Sequence, residues 1–415
     1  MATRSTPPAP HSAPNYTVPF IIVTALFGIF GFLTSLNNQL VGKLKEVFQL
    51  PYGPSMLATS AWFFAYLVFS VPSGKLIEKV GYKSTMVISL FVMVVGALLF
   101  VPAANQVSFS LTLTAIFVLA SGVCALQTSA NPYVAILGPE KSASARLNLA
   151  QAFNSGASAI AGWFAARFIL ADTSKIPDAA GQAHMLQMPY VYIAAGLLVL
   201  GFTVMFLHLP AIVSSRSSVD SPLPGRSIWS FSHTVLGMVG IFFYVGVEIA
   251  LAAICIQYCK QQGISNVETA GILVTIYYLL IMAGRFVGSA LMSVIKAEKM
   301  LVVLGILGVV LMLVSMGTHG QIAIWSLVLC GVANSIMYPT IFTLGIAELG
   351  PLTSKGSGVI TIGNVGGAVI PPLFGLLADK THSIQYAFVL PIICYIFITY
   401  YGMSGYKPTR TAKAA

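Results

Sequence analysis

Unbroken apolar runs of helix length recur along this chain, and they constrain its fold more than any other feature. Residues 86–100 and 301–316 are examples. A helix of about 20 such residues crosses the hydrocarbon core of a bilayer. A barrel strand instead alternates apolar and polar residues over about ten positions. The runs therefore predict an all-α membrane protein. Twelve segments are expected, near 19–48, 54–74, 84–103, 109–137, 144–170, 189–209, 230–259, 267–293, 300–317, 321–347, 356–378 and 385–404. Only 8% of the residues are charged, against roughly 25% in soluble domains, so lipid must take the place of water as solvent.

The least apolar interval, 211–227, separates the sixth segment from the seventh and reads as a linker between two six-helix bundles. The expected organisation is a disordered cytosolic tail over 1–18, a first bundle over 19–210, a linker over 211–229, a second bundle over 230–405 and a short tail over 406–415. The first residues are rich in Pro, Ser and Thr and show no cleavable signal. Asn15-Tyr16-Thr17 matches a glycosylation acceptor, but the expected topology leaves it in the cytosol.

Lys and Arg set the orientation. With the N-terminus inside, 15 of them, Arg285 included, fall on the cytosolic side and 6 on the other. Both termini are thus expected in the cytosol of an inner-membrane protein. Topology, rather than nucleic acid, then accounts for the net charge of +10. The five cysteines all lie in apolar segments. Cys255 and Cys259 share a helix face but have no further ligand at metal spacing, so they read as buried small hydrophobes.

The halves echo each other. Asn131-Pro132-Tyr133 is matched by Tyr338-Pro339-Thr340, with the prolines 207 residues apart. Phe153-Asn154-Ser155-Gly156 is matched by Gly363-Asn364-Val365-Gly366, with the asparagines 210 apart. One offset near half the chain length implies a duplicated unit, as in transporters built from parallel repeats.

Polar side chains inside these helices are expensive in lipid and belong in the bundle interior. Segment one carries Asn37, Asn38 and Gln39 in succession. Segment four places Gln127 and Asn131 on one face, segment five Gln151 and Asn154, and segment ten Asn334 and Tyr338. Interhelical hydrogen bonding explains any one of these. As a set, amides beside an aromatic ring suit a neutral polyol, whose hydroxyls both donate and accept while its apolar face packs on the ring. Glu248, in the middle of segment seven, is the one acid placed at that depth. It can exchange a proton, ligate Na⁺ as the sole metal candidate of the chain, or hydrogen-bond another helix.

Gly74, Glu78, Gly81 and Lys83 lie in a stretch fitting G-x-x-x-[DE]-[KR]-x-G-x-[KR] after the second segment. Gly74 allows close helix approach, Glu78 pairs with cations or a helix N-terminus, and Gly81 turns the chain. This loop resembles that of the major facilitator transporters, which implies their fold of two pseudo-symmetric six-helix bundles. The stretches 126–139 and 146–155, and Tyr338 with the residues to 346, resemble the fucose–galactose–glucose branch. In its fucose members an acid on helix one and another on helix four handle sugar and proton. Those positions fall on Asn38 and Gln127, which cannot take up a proton. The branch's sugar-contacting residues on helices five and ten fall on Gln151, Asn154 and Tyr338. Its helix-seven Trp has no match here. Gln127 and the Tyr-Val-Gly-x-Glu stretch ending at Glu248 are closer to the glucose/galactose members.

The resemblance implies a monomeric importer, not an enzyme, that needs no cofactor. It would take a neutral hexose such as glucose, galactose, mannose or fucose, coupled to Na⁺ or H⁺. The alternatives are an uncoupled sugar uniporter, a drug or metabolite exporter, and a membrane sugar receptor.

Overall fold

The computed structural model describes residues 16–48, 57–168, 181, 187–207, 209–210, 227–263 and 267–408. The expected tail before residue 16, most of the expected linker and residues 409–415 lie outside them. Among the described residues the chain is helical throughout. In order run α1 (Thr17–Val47), α2 (Leu57–Leu98), α3 (Phe100–Asn105), α4 (Phe109–Ile136), α5 (Ala143–Phe168), α6 (Gln187–Phe206), α7 (Ser232–Gln261) and α8 (Val267–Leu291). There follow α9 (Ala297–Gly317), α10 (Gly320–Asn334), α11 (Met337–Gly345), α12 (Thr353–Ile362), α13 (Gly366–Thr381), α14 (Ile384–Ala387) and α15 (Val389–Tyr400).

Among the described residues, ten stretches are long and apolar enough to cross a membrane. The longest, Leu57–Asn105, has 49 residues, and at about 1.5 Å per residue it is more than twice the bilayer core. It is two spans joined at Gly81, whose φ of 82° no bulky residue would readily adopt. Helix α5, with 26 residues, is long enough for a further span but more polar. These give the twelve spans expected. The motif around Gly81 is helical on both sides of one kinked residue rather than an open loop.

The tenth and eleventh segments are broken helices. The break between α10 and α11 precedes Pro339, which lacks the N–H that would bond the Ser335 carbonyl. Arg285 Nε takes that carbonyl instead, at 3.0 Å. The repeat-related Pro132 frees the Thr128 carbonyl, and Ser357 Oγ donates to it at 2.6 Å. Both of these proline-freed acceptors are thus satisfied by another helix.

The loops after α4, α8 and α11 meet at one end of the bundle, with Lys141 and Lys296 among their residues; the Gly81 bend lies there too, and we call it the basic end. There the halves touch. A Cβ on Gly74 would sit 2.7 Å from the Ser354 carbonyl, so only glycine lets α2 approach α12 this closely. Glu78 pairs with Lys355 at 3.3 Å, Tyr82 meets Ser354 at 3.2 Å, and Ser289 donates to the Ala145 carbonyl at 2.8 Å. Lys83 caps α6 through the Met205 carbonyl at 2.8 Å. All four motif residues therefore have structural work at this end.

Arg285 corrects the charge count. It is buried in α8, six residues and about 9 Å inside the helix end, and belongs to neither aqueous face. Counting cations by their position near a helix end treats such a residue as part of a loop.

Candidate functional site

The proline in α4 and the break before α11 bring two polar faces together across the interface between halves. Gln127 Nε2 donates to the Tyr338 hydroxyl at 2.9 Å, and Asn131 Nδ2 lies 3.4 Å from the same oxygen. Asn364, after α12, also interacts with that hydroxyl. Tyr338 is buried. Its ring lies 6.0 Å from Tyr244 and stacks on Phe342 at 6.3 Å.

Several buried amides keep unused capacity. Gln127 Oε1, Asn131 Oδ1, Gln151 Nε2 and Asn37 Oδ1 are buried and have no hydrogen-bond partner in the protein. Buried polar atoms are rarely left so, since each costs about 1–3 kcal/mol. Three acceptors and one donor are what a small polyol would need.

The sequence-predicted set divides. Gln127, Asn131 and Tyr338 come together, and Gln151 and Asn37 carry free atoms of the same kind. Asn154 differs: its Nδ2 donates to the Phe27 carbonyl at 3.1 Å, and its side chain packs against Gly31 of α1. Asn38 lies on α1, but its side chain falls outside the described ones. Asn334 is wholly committed, donating to Tyr277 at 2.7 Å and accepting from Tyr395 at 2.8 Å.

Glu248 is half-buried near the middle of α7. Its carboxyl interacts with the Tyr244 hydroxyl one turn away and with the Arg285 charge, while its backbone carbonyl accepts from Tyr277 at 3.3 Å. Arg285 Nη2 reaches the Tyr244 hydroxyl at 3.4 Å, and its Nη1 donates to the Gln151 carbonyl at 2.9 Å and to Ser155 Oγ at 2.5 Å. A polar path thus runs from the Gln151 backbone through Arg285 and the Tyr244 hydroxyl to Glu248. No group of three or more His, Cys, Asp or Glu assembles among the described residues.

Sequence reasoning missed Arg285, Tyr244 and Asn364 as members of this cluster. The signals were present. Gly284 and Gly288 bracket Arg285 inside an apolar helix, and Asn364 is the repeat mate of Asn154.

A cavity of about 890 Å³ opens at the basic end and is lined by Tyr82, Lys141, Ser144, Lys296, Thr343 and Glu348 among others. It holds none of the amides. A Ser144–Thr343 hydrogen bond of 2.6 Å crosses between the halves along its wall.

Residues 20–371 match the Major Facilitator Superfamily. The chain is 40% identical over 401 residues to a protein of Brucella abortus biovar 1 (strain 9-941) called glucose/galactose transporter, covering 95% of this chain and 96% of that one. It is 32% identical over 409 residues to the L-fucose-proton symporter of Escherichia coli K12, covering 92% of each. Among solved structures it is similar to FucP, a major facilitator transporter in the outward conformation. The TM-score is 0.85 at 31% identity, over 95% of this chain and 100% of that one.

Proposed function

The chain belongs to the Major Facilitator Superfamily, and from that premise we propose that it imports a neutral hexose of the glucose/galactose type by symport with a proton. Membership makes it a multi-pass membrane transporter rather than an enzyme. The carrying observation is the four buried amide atoms without partners, two of them on Gln127 and Asn131, which meet Tyr338 across the interface between halves. A sugar held there would touch both moving parts, as alternating access requires. The names of the relatives support the sugar class, since the chain is nearer in identity to the glucose/galactose transporter than to the fucose symporter.

For coupling, Glu248 is the acid available. The acids that the fucose members use on helices one and four are amides here, at Asn38 and Gln127. Between Na⁺ and H⁺, the Arg285 guanidinium beside Glu248 favours H⁺, because a metal cation would have to sit next to a fixed positive charge. The cytosolic placement of the basic end, and hence of both termini, rests on the excess of Lys and Arg there.

The test is uptake of labelled hexoses into proteoliposomes, with proton and Na⁺ gradients imposed separately. We expect accumulation under the proton gradient. Glu248→Gln should abolish it while leaving sugar exchange across the membrane. Accumulation by the variant at the wild-type level would make Glu248 structural. Equilibration without accumulation under either gradient would make the protein a uniporter.

A further inference from the structure

We infer that Arg285 is a positioning residue: it holds the two halves together at the basic end and passes that hold to Glu248 when they part. The inference rests on the transport reading above, in which the halves move relative to each other.

One guanidinium engages four acceptors on three helices. Nε takes the Ser335 carbonyl freed by Pro339. Nη1 crosses to the other half, to the Gln151 carbonyl and Ser155 Oγ on α5. Nη2 takes the Tyr244 hydroxyl on α7. Arginine suits this task because its planar fork presents donors in fixed directions and never loses its charge. By holding the Gln151 backbone it also fixes where the free Gln151 amide points.

Opening the basic end must separate α5 from α8, because Ser289–Ala145 and Arg285–Gln151 both join them there. Arg285 then loses two acceptors. A buried guanidinium left with unpaired donors is costly. The group that can replace them is already at hand. The charged or titratable groups interacting with Glu248 are Tyr244 on its own helix and Arg285, Tyr277 and Tyr278 on α8. Of these only Arg285 is a cation. An ionised Glu248 therefore offers Arg285 a partner when the halves part, and a protonated one does not. Glu248 in its ionised form favours the open basic end, and in its neutral form it favours the closed arrangement seen here.

The experiment reads the gate without sugar. Spin labels on Lys141→Cys and Lys296→Cys, both exposed and on opposite halves, report whether the basic end is closed; the native cysteines are buried. In the otherwise wild-type background, Glu248→Gln should shift the ratio of short to long label distances toward short by about tenfold, the size of a coupling within one network. In an Arg285→Gln background the same change should shift it less than about twofold. Equal shifts in both backgrounds, or none in the first, would overturn the inference, since a merely structural arginine gives additive effects. If Arg285→Gln does not fold, Arg285→Lys takes its place. It keeps the charge but not the fork, and the shift should fall below half, whereas a full-sized shift would overturn the inference. Hexose binding measured on the same samples separates the two readings. Absence of binding with the label behaviour intact would remove the sugar assignment and leave the role of Arg285 standing.

Discussion

Gln127 and Asn334 occupy equivalent points of the two repeats, each five residues before its conserved-offset proline, yet they do opposite things. Gln127 spends its donor on Tyr338 across the interface and leaves Oε1 free. Asn334 spends donor and acceptor inside its own half, on Tyr277 and Tyr395. The neighbouring pair behaves likewise. Gln151 keeps a free Nε2, while Thr361, 210 residues on, donates to the Ser357 carbonyl. Among the described residues, six of the eight buried side-chain polar atoms without a partner lie in the first half. Duplication supplied the same framework twice. The first copy presents open amides, and the second supplies an aromatic wall whose polar groups are satisfied.

The sharpest way to break this contrast is Asn334→Ala. It would take the acceptor from the Tyr395 hydroxyl and leave Tyr277 only its bond to the Glu248 carbonyl. At about 1–3 kcal/mol for the stranded Tyr395 donor and about 1 kcal/mol for the bond Tyr277 loses, the loss is about 2–4 kcal/mol, a large share of a marginal stability. We expect a strongly lowered unfolding midpoint in detergent and poor yield. A variant as stable as wild type would show that Asn334 is not the closed member of the pair.

Gln127→Ala should do the reverse. Tyr338 keeps Asn131 and Asn364 nearby, so stability should hardly change. The hexose should lose a hydrogen bond or two at about 1 kcal/mol each, which is about five- to thirtyfold in Kd. Equilibrium binding to the purified protein measures this. Unchanged affinity would remove Gln127 from the sugar site.

These contrasts also mark how far the sequence can be read. Apolar run length sets the number of spans, and the repeat offset sets the two halves, because both depend only on local composition. The break before α11, which falls inside the single span expected over 321–347, has its cause in Pro339. Which amides are free was not legible, because their partners lie far along the chain; Gln127 and Tyr338 are 211 residues apart. Arg285 was misplaced for a related reason. Its acceptors on α5, α7 and after α10 exist only once the helices pack, so the bracketing glycines signal close packing but not which groups take its donors.

Asn154→Ala has the smallest expected effect on binding and tests the division inside the first half itself. Sequence reasoning puts Asn154 with Gln151, three residues away on one helix face. The structure gives the two amides different work. Gln151 is buried with a free Nε2, whereas Asn154 donates to the Phe27 carbonyl and fills the notch at Gly31, fastening α5 to α1. Removing it should cost stability by about 1 kcal/mol, the net worth of one hydrogen bond, and change hexose affinity by only about twofold. Gln151→Ala should instead weaken binding by about tenfold, the equivalent of roughly 1.4 kcal/mol, with little change in the unfolding midpoint. The paired measurement is Kd and thermal midpoint on both variants. If Asn154→Ala loses as much affinity as Gln151→Ala at unchanged stability, the fastening to α1 is secondary, and the sugar site extends one turn further along α5 than the free atoms indicate.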